Sequence, residues 1–252
     1  MCLGSNQPYF FPYVGYFQLI ESVDTFLLYG NIKYVKESWV SRNRLLNKST
    51  KQPFYIILPI GNRNTHQLIS NTKVKWNKQI WIRKFKNTLI TNYSGAPFFE
   101  ESLSFLTTLL EGITKDNLHE FNLVIIKSIC SYLRLDTKLI DDSQTFDLVE
   151  EKLSKLYSNG DTNHLIARHV QRIFMLCEQY GASSYHNLSG GKHLYKEKEF
   201  VKRGINLKFL SSEIVSYKQF NKDFIPQLSI IDVLMHEGQT GTERIVKNYH
   251  LS

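Results

Sequence analysis

The sequence predicts an α/β fold, a largely parallel Rossmann-like sheet covered by helices with a helical middle segment, and three observations predict it. The last third alternates. A helical stretch over 163–180 stops at Gly181, a strand-like run over 183–187 leads into Ser189-Gly190-Gly191, a short helix over 193–203 stops at Gly204, and a strand covers 205–210. Helices and strands in this order build parallel sheets. At the other end, an aromatic turn delivers the chain into a helix over 16–23 and then a strand over 26–34. Between them the apolar spacing is helical.

The turn itself is unusual. Pro8, Pro12 and Gly15 are set among six aromatic residues within positions 7–17. That is too much aromatic surface for an ordinary loop and too much punctuation for a helix. Residues 1–6 give no legible element. In the strand that follows, Gly30-Asn31 reads as a bulge or turn. Residues 53–60 read as a buried strand with a proline near each end, and 61–72 as a polar loop. Over 76–92, Trp76, Ile80, Phe85 and Leu89 recur near helical spacing with Lys and Arg on the other faces. Pro97 opens a helix over 97–111, and Asp116 is the expected N-cap of a helix over 116–134. A short strand is expected at 136–141 and a flexible loop at 142–162. Helices at 228–236 and 240–249 close the pattern.

The length of 252 residues suits one α/β domain over 1–252. Within it, 1–60 is a strand and turn region, 73–134 a helical segment and 163–252 a βα region. No apolar run reaches the roughly 18 residues of a membrane span, and no secretory leader pattern is present. The three cysteines are far apart and odd in number, which argues for reduced thiols and a cytoplasmic protein and against a disulfide frame or zinc knuckle. The net charge of +8 favours anionic partners without choosing among them. No cofactor motif is evident: the G-x-G-x-x-G, Walker, G-x-S-x-G and H-E-x-x-H patterns are all missing, and no metal set is expected.

Several constellations could carry chemistry. Backbone N–H groups at Gly190-Gly191 could face a phosphate or carboxylate, or the pair is simply a tight turn with glycine at positive φ. In Trp39-Val-Ser-Arg42-Asn43-Arg44, Arg42 suits a carboxylate or phosphate and Trp39 could stack on a sugar or base; the segment reads equally as a surface turn. Ser229 could cap the last apolar helix with Asp232 three residues on, or Asp232 could be a general base. His186 and His193 flank the glycine pair and could act on a ligand, although lone histidines are more often structural. Residues 73–86 carry Lys73, Lys75, Lys78, Arg83, Lys84 and Lys86 with Trp76, Trp81 and Phe85 interleaved and no acid. That fits a single-stranded nucleic-acid or anionic membrane surface, or a solvated basic face over a core-facing aromatic stripe.

Taken in order, Gln7-Pro8-x-x-Phe11-Pro12-x-x-Gly15-Tyr16-Phe17, Tyr34-x-Lys36-x-x-Trp39-x-x-Arg42-Asn43, Tyr93-x-x-Ala96-Pro97, Tyr185-x-Asn187, Gly190-Gly191-x-x-Leu194-Tyr195, Tyr217-x-Gln219 and Leu228-Ser229-Ile230-Ile231-Asp232 resemble the WbqC-like family of bacterial surface-polysaccharide gene clusters. Two stretches depart from it. Met1–Asn6 replaces an apolar run, and Gly30-Asn31 stands where members read Asp-Asp. The resemblance implies a role in O-antigen or capsule biosynthesis. It suggests a transferase that places an acyl or aminoacyl group, such as glycyl, on the amino group of a nucleotide-linked amino sugar, with the donor unspecified. The motif residues Gln7, Tyr16, Lys36, Trp39, Arg42, Asn43, Asn187, Gly190, Gly191, Tyr195, Tyr217, Gln219 and Ser229 become candidate substrate contacts, and Asp232, His186 and His193 candidate bases. Two other readings stand beside it: a non-enzymatic binder using the basic helix 73–86, with nucleic acid the less expected partner, and a nucleotidyltransferase-like enzyme.

Overall fold

A computed structural model describes residues 1–61, 67–157, 164–211 and 216–252. Its centre is a six-stranded sheet. Strands β1 (Cys2–Asn6), β2 (Thr25–Leu28), β5 (Lys138–Ile140), β6 (Ser184–Leu188), β7 (Asn206–Ser211) and β8 (His250–Leu251) take part. They lie in the order β5-β2-β1-β6-β7-β8. All pairs are parallel except β7 with β8. The remaining strands, β3 (Arg42–Leu46) and β4 (Pro53–Ile57), form a separate antiparallel hairpin. From β1 the chain steps outward to β2 and β5, then returns to the other side of β1 for β6 and β7. The order therefore reverses between β1 and β6. In open α/β sheets the crevice beyond the carboxyl ends of the strands at such a reversal is where ligands bind.

The helices are α1 (Val14–Glu21), α2 (Lys78–Tyr93), α3 (Phe99–Gly112), α4 (Leu118–Tyr132), α5 (Ser143–Leu156), α6 (His164–Tyr180), α7 (Glu197–Val201) and α8 (Ile230–Val246). Two cores follow from the period-two alternation of the strands. Phe26 and Leu28 pack with α1, α2, α3, α4 and α8. Leu3, Leu27 and Tyr185 pack with α5, α6 and α7. In the first core Ile230, Ile231, Val233, Leu234 and Met235 are almost wholly buried in α8. Burial on that scale stabilises by about 1.5–3 kcal/mol per large side chain.

Most expected elements are present, and the exceptions have physical reasons. Residues 2–6, illegible in sequence, form the central strand, where Gly4 leaves room for the Phe26 ring. The run at 53–60 is not a buried strand but half of the hairpin, with Tyr55 and Ile57 exposed. Asn117, not Asp116, caps α4 by accepting from the N–H groups of His119 and Glu120. The expected loop at 142–162 is largely α5, capped by Asp142 and buried through Phe146, Val149 and Leu153; its last residues, 158–162, lie outside the described ones. So do 62–66 of the polar loop, whose later part holds a short 3-10 turn at Ile69–Asn71. The helices expected at 228–236 and 240–249 are both present as the two halves of α8, which meet at a kink where Gly238 leaves the helical conformation (φ 63°). Gly181 and Gly204 end their helices at positive φ, whereas Gly190 and Gly191 do not have it and lie in a 3-10 turn, Ser189–Leu194.

Candidate ligand-binding site

The aromatic turn crosses the carboxyl end of β1, and its carbonyls are held by side chains from distant parts of the chain. Tyr16 Oη donates to the Gln7 carbonyl (2.9 Å) and Asn122 Nδ2 to that of Pro8 (2.8 Å). Asn43 Nδ2 donates to those of Phe10 (3.0 Å) and Phe11 (2.7 Å). Ser229 Oγ adds a second bond to Phe11 (2.8 Å), and the Ile230 N–H donates to Pro12 (2.8 Å). This bracing holds Phe11 at φ 41°, a conformation that costs a non-glycine residue on the order of 1–3 kcal/mol. Phe10 and Phe11 are fully buried, and Phe11 stacks on Phe85, which stacks on Trp81. Tyr9 and Tyr13 are only partly buried at the edge of this core.

Those two rings wall a pocket of about 210 Å³. Asn6 and Leu188 enter it from the carboxyl ends of β1 and β6, on either side of the reversal. Trp39, Asn43 and Arg44 come from the hairpin side, and Gln227 from the approach to α8. Burial raises the phenol of Tyr9 and pushes that of Tyr13 up to about 12, so both are neutral donors at neutral pH. Arg44 Nη2 donates to the Gln227 carbonyl (3.1 Å), and its guanidinium lies over the Trp39 ring, 5.6 Å from the centroid. Its Nε is buried without a protein acceptor. The pocket thus offers aromatic walls, amides and phenols, and one arginine: a lining that binds and orients a polar ligand.

On the opposite face of the sheet a second polar group borders the same strand ends. Tyr195 Oη receives a bond from Asn187 Nδ2 (2.6 Å) and meets His169 Nε2 at 2.7 Å. Burial, with the Arg172 charge nearby, lowers His169 to about 4, so the imidazole is neutral near pH 7. Tyr185 Oη meets Ser5 Oγ at 2.9 Å. Glu150 is bonded by Arg168, Arg172 and Tyr29, and the arginines hold its carboxyl below the ordinary range against the opposing effect of burial.

Of the residues expected at a site, Trp39 and Asn43 line the pocket, and Gln7 is bonded through its N–H to Asn6 Oδ1. Asn187, Gly191 and Tyr195 come together across the sheet. Tyr16 and Ser229 are fully buried and brace the turn. Asp232 is fully buried in the first turn of α8, where it accepts from Tyr93 (2.7 Å), Tyr217 (2.7 Å) and Gln219 (3.1 Å), a cluster away from the pocket lining. His186 is buried against Ser22; His193 is exposed on the turn after β6, beside exposed Gly190. Lys36 is exposed, and Arg42 stacks on Tyr55 and pairs with Glu37. The aromatic residues of the basic stretch turn inward: Trp76 and Trp81 pack on each other and on Phe121 and Phe85. Asn6, Tyr9, Tyr13 and Gln227 were not expected, and Arg44 ended the candidate segment Trp39–Arg44 without a role of its own; the signal that could have given it one is its i, i+2 spacing from Arg42. Among the described residues no cluster of His, Cys, Asp and Glu could hold a metal ion, and no helix is long and apolar enough to cross a membrane.

Fold and site together define a doubly wound α/β protein with a polar, aromatic-walled pocket at the reversal point of its sheet. The chain belongs to the WbqC-like protein family, whose model matches residues 7–244. It is also similar to Uncharacterized protein Rv1507c of Mycobacterium tuberculosis, 28% identical over 237 residues that make up 92% of each chain. No solved structure matches it.

Proposed function

We propose that the protein is a transferase of surface-polysaccharide biosynthesis that attaches an acyl or aminoacyl group, such as glycyl, to the amino group of a nucleotide-linked amino sugar. The observation that carries this reading is the pocket between the ends of β1 and β6, where Asn6, Tyr9, Tyr13 and Arg44 offer hydrogen bonds to hydroxyls and an anion beside the aromatic wall of Trp39. In the reaction the amine nitrogen bonds to the donor's carbonyl carbon, the donor's leaving group departs with its bonding pair, and the nitrogen gives up a proton. A neutral imidazole suits that last step. His193, exposed on the turn after β6, is the expected histidine that a substrate can reach, whereas Asp232 is sealed within its own donors.

The test is incubation of the purified protein with UDP- and dTDP-linked amino sugars and a panel of activated acyl and aminoacyl donors, followed by mass spectrometry. Addition of the donor group to the sugar is the expected result; an unchanged sugar across the whole panel refutes the reading. The sheet order favours one alternative, a nucleotidyltransferase-like enzyme, because doubly wound sheets of this order bind nucleotides at the reversal. ATP–pyrophosphate exchange distinguishes it. The basic-helix binder is less favoured, because Trp76, Trp81 and Phe85 pack on one another and on the core.

A further inference from the structure

The pocket is too small for the substrate proposed. Its volume of about 210 Å³ falls below the roughly 300–1,000 Å³ of sites that enclose a drug-sized ligand. A nucleotide sugar seated there must extend over a neighbouring surface, and one adjoining surface has the chemistry to take it. On the β3–β4 hairpin, Arg44 pairs across from Tyr55 and Arg42 across from Ile57, so these four side chains share one face while Asn43 and Ile56 turn inward. Arg42 lies over the Tyr55 ring at 4.3 Å, Tyr55 and Trp39 are 6.3 Å apart, and Arg44 lies over Trp39 at 5.6 Å. Guanidinium and ring thus alternate along the surface: Arg42, Tyr55, Trp39, Arg44.

This surface is open. Trp39 is 39% exposed, Tyr55 45% and Ile57 59%, so aromatic area is presented to solvent rather than spent on the core. The ring–guanidinium alternation suits a planar base carrying phosphates, because aromatic faces stack on bases and guanidinium groups stack on rings and bind phosphate oxygens. Trp39 and Arg44 also line the pocket, which makes the surface continuous with it. The Arg42 contact with Glu37 is an exposed pair that a phosphate can replace.

Resting on the reading of the preceding subsection, we propose that the outer face of the β3–β4 hairpin is the nucleotide subsite. The base stacks on Tyr55 and Trp39, Arg44 meets the diphosphate at the mouth of the pocket, and the pocket itself takes only the sugar. Tyr55, which no family motif drew attention to, is the residue that isolates this subsite, since it lies outside the pocket lining.

Calorimetric titration with UDP, dTDP and inorganic pyrophosphate tests it. The wild type binds UDP and dTDP. Tyr55→Ala weakens UDP about 10-fold or more, the loss of one stacked base, while inorganic pyrophosphate binds within twofold of wild type and Tyr55→Phe restores UDP affinity. A Tyr55→Ala protein that binds UDP within twofold of wild type overturns the proposal, as does a wild type that binds neither nucleotide. The two readings fail separately. Tyr55-dependent nucleotide binding without any transfer leaves the subsite standing and removes the transfer reaction. Transfer to an amino sugar by a protein indifferent to Tyr55→Ala does the reverse.

Discussion

Replacing Asn43 by alanine tests how the aromatic turn is held. The side chain is 3% exposed and makes three bonds: Nδ2 to the Phe10 and Phe11 carbonyls, and Oδ1 from the Arg44 N–H. Phe11 keeps a partner in Ser229 Oγ, so its carbonyl does not count. Phe10 O and Arg44 N–H lose theirs. The Arg44 backbone faces away from β4, since its carbonyl accepts from the Ser229 N–H, and the hairpin cannot supply a replacement. A buried polar group left unsatisfied costs about 1–3 kcal/mol. Two at the middle of that range give a loss of about 4 kcal/mol, before any relief of the Phe11 strain. For a chain of this size 1 kcal/mol shifts Tm by about 2 °C, so Asn43→Ala should melt about 8 °C below wild type in calorimetry. The cost should fall on stability even without ligand. A variant that melts within 1 °C of wild type yet binds UDP poorly refutes the bracing argument and makes Asn43 a direct ligand contact instead.

Three further outcomes are expected. A Cβ at Gly30 would lie 2.2 Å from His119 Nδ1, so Gly30→Ala should break the 2.7 Å His119–Asp141 pair and lower stability by about 1–3 kcal/mol, and adding His119→Ala should recover part of that loss; no recovery in the double variant counts against the clash. Asp232→Ala leaves the buried Tyr93 and Tyr217 hydroxyls without their acceptor, while Gln219 keeps the Ile225 carbonyl, and should cost about 3–5 kcal/mol in chemical denaturation; a variant of native stability that has lost only turnover would restore Asp232 as a catalytic group. His169 has a folded pKa near 4, below its ordinary 6.5. The unfolded chain therefore takes up a proton between those values that the folded chain does not, and stability falls as pH drops through that window. Above pH 6.5 the group contributes nothing to the slope. His169→Gln should flatten the fall in Tm between pH 6.5 and 4.5 relative to wild type, and an unaltered slope would refute the assignment.

How much of this was legible in the sequence depended on where each signal came from. The C-terminal βα order was plain, because Gly181 and Gly204 end helices at positive φ and a strand follows each of them. β1 was illegible because Cys2–Asn6 carries one large aliphatic residue, Leu3; its burial comes from lying between β2 and β6. α5 passed for a loop because its surface is polar, although Phe146, Val149 and Leu153 follow a helical period. At the site, Trp39, Asn43, Asn187 and Tyr195 were singled out by motif. Asn6 and Gln227 were not, because what unites them is the meeting of residues far apart in sequence, and no local pattern encodes that. Three further motif residues lie outside the pocket lining: Tyr16 and Ser229 hold the backbone of the turn, and Asp232 accepts from Tyr93 and Tyr217.

The bond from Ser229 to the Phe11 carbonyl spans 218 residues, and β1 finds its second neighbour only at β6. During synthesis, then, the turn must wait for the chain that runs on to Ser229 before its shape is fixed. Long-range closure of this kind slows folding, and it makes the pocket among the last features to form. Partly synthesised or partly folded chains would hold Phe10 and Phe11 uncovered in the meantime, so a working pocket also certifies that the distant parts of the chain have found one another.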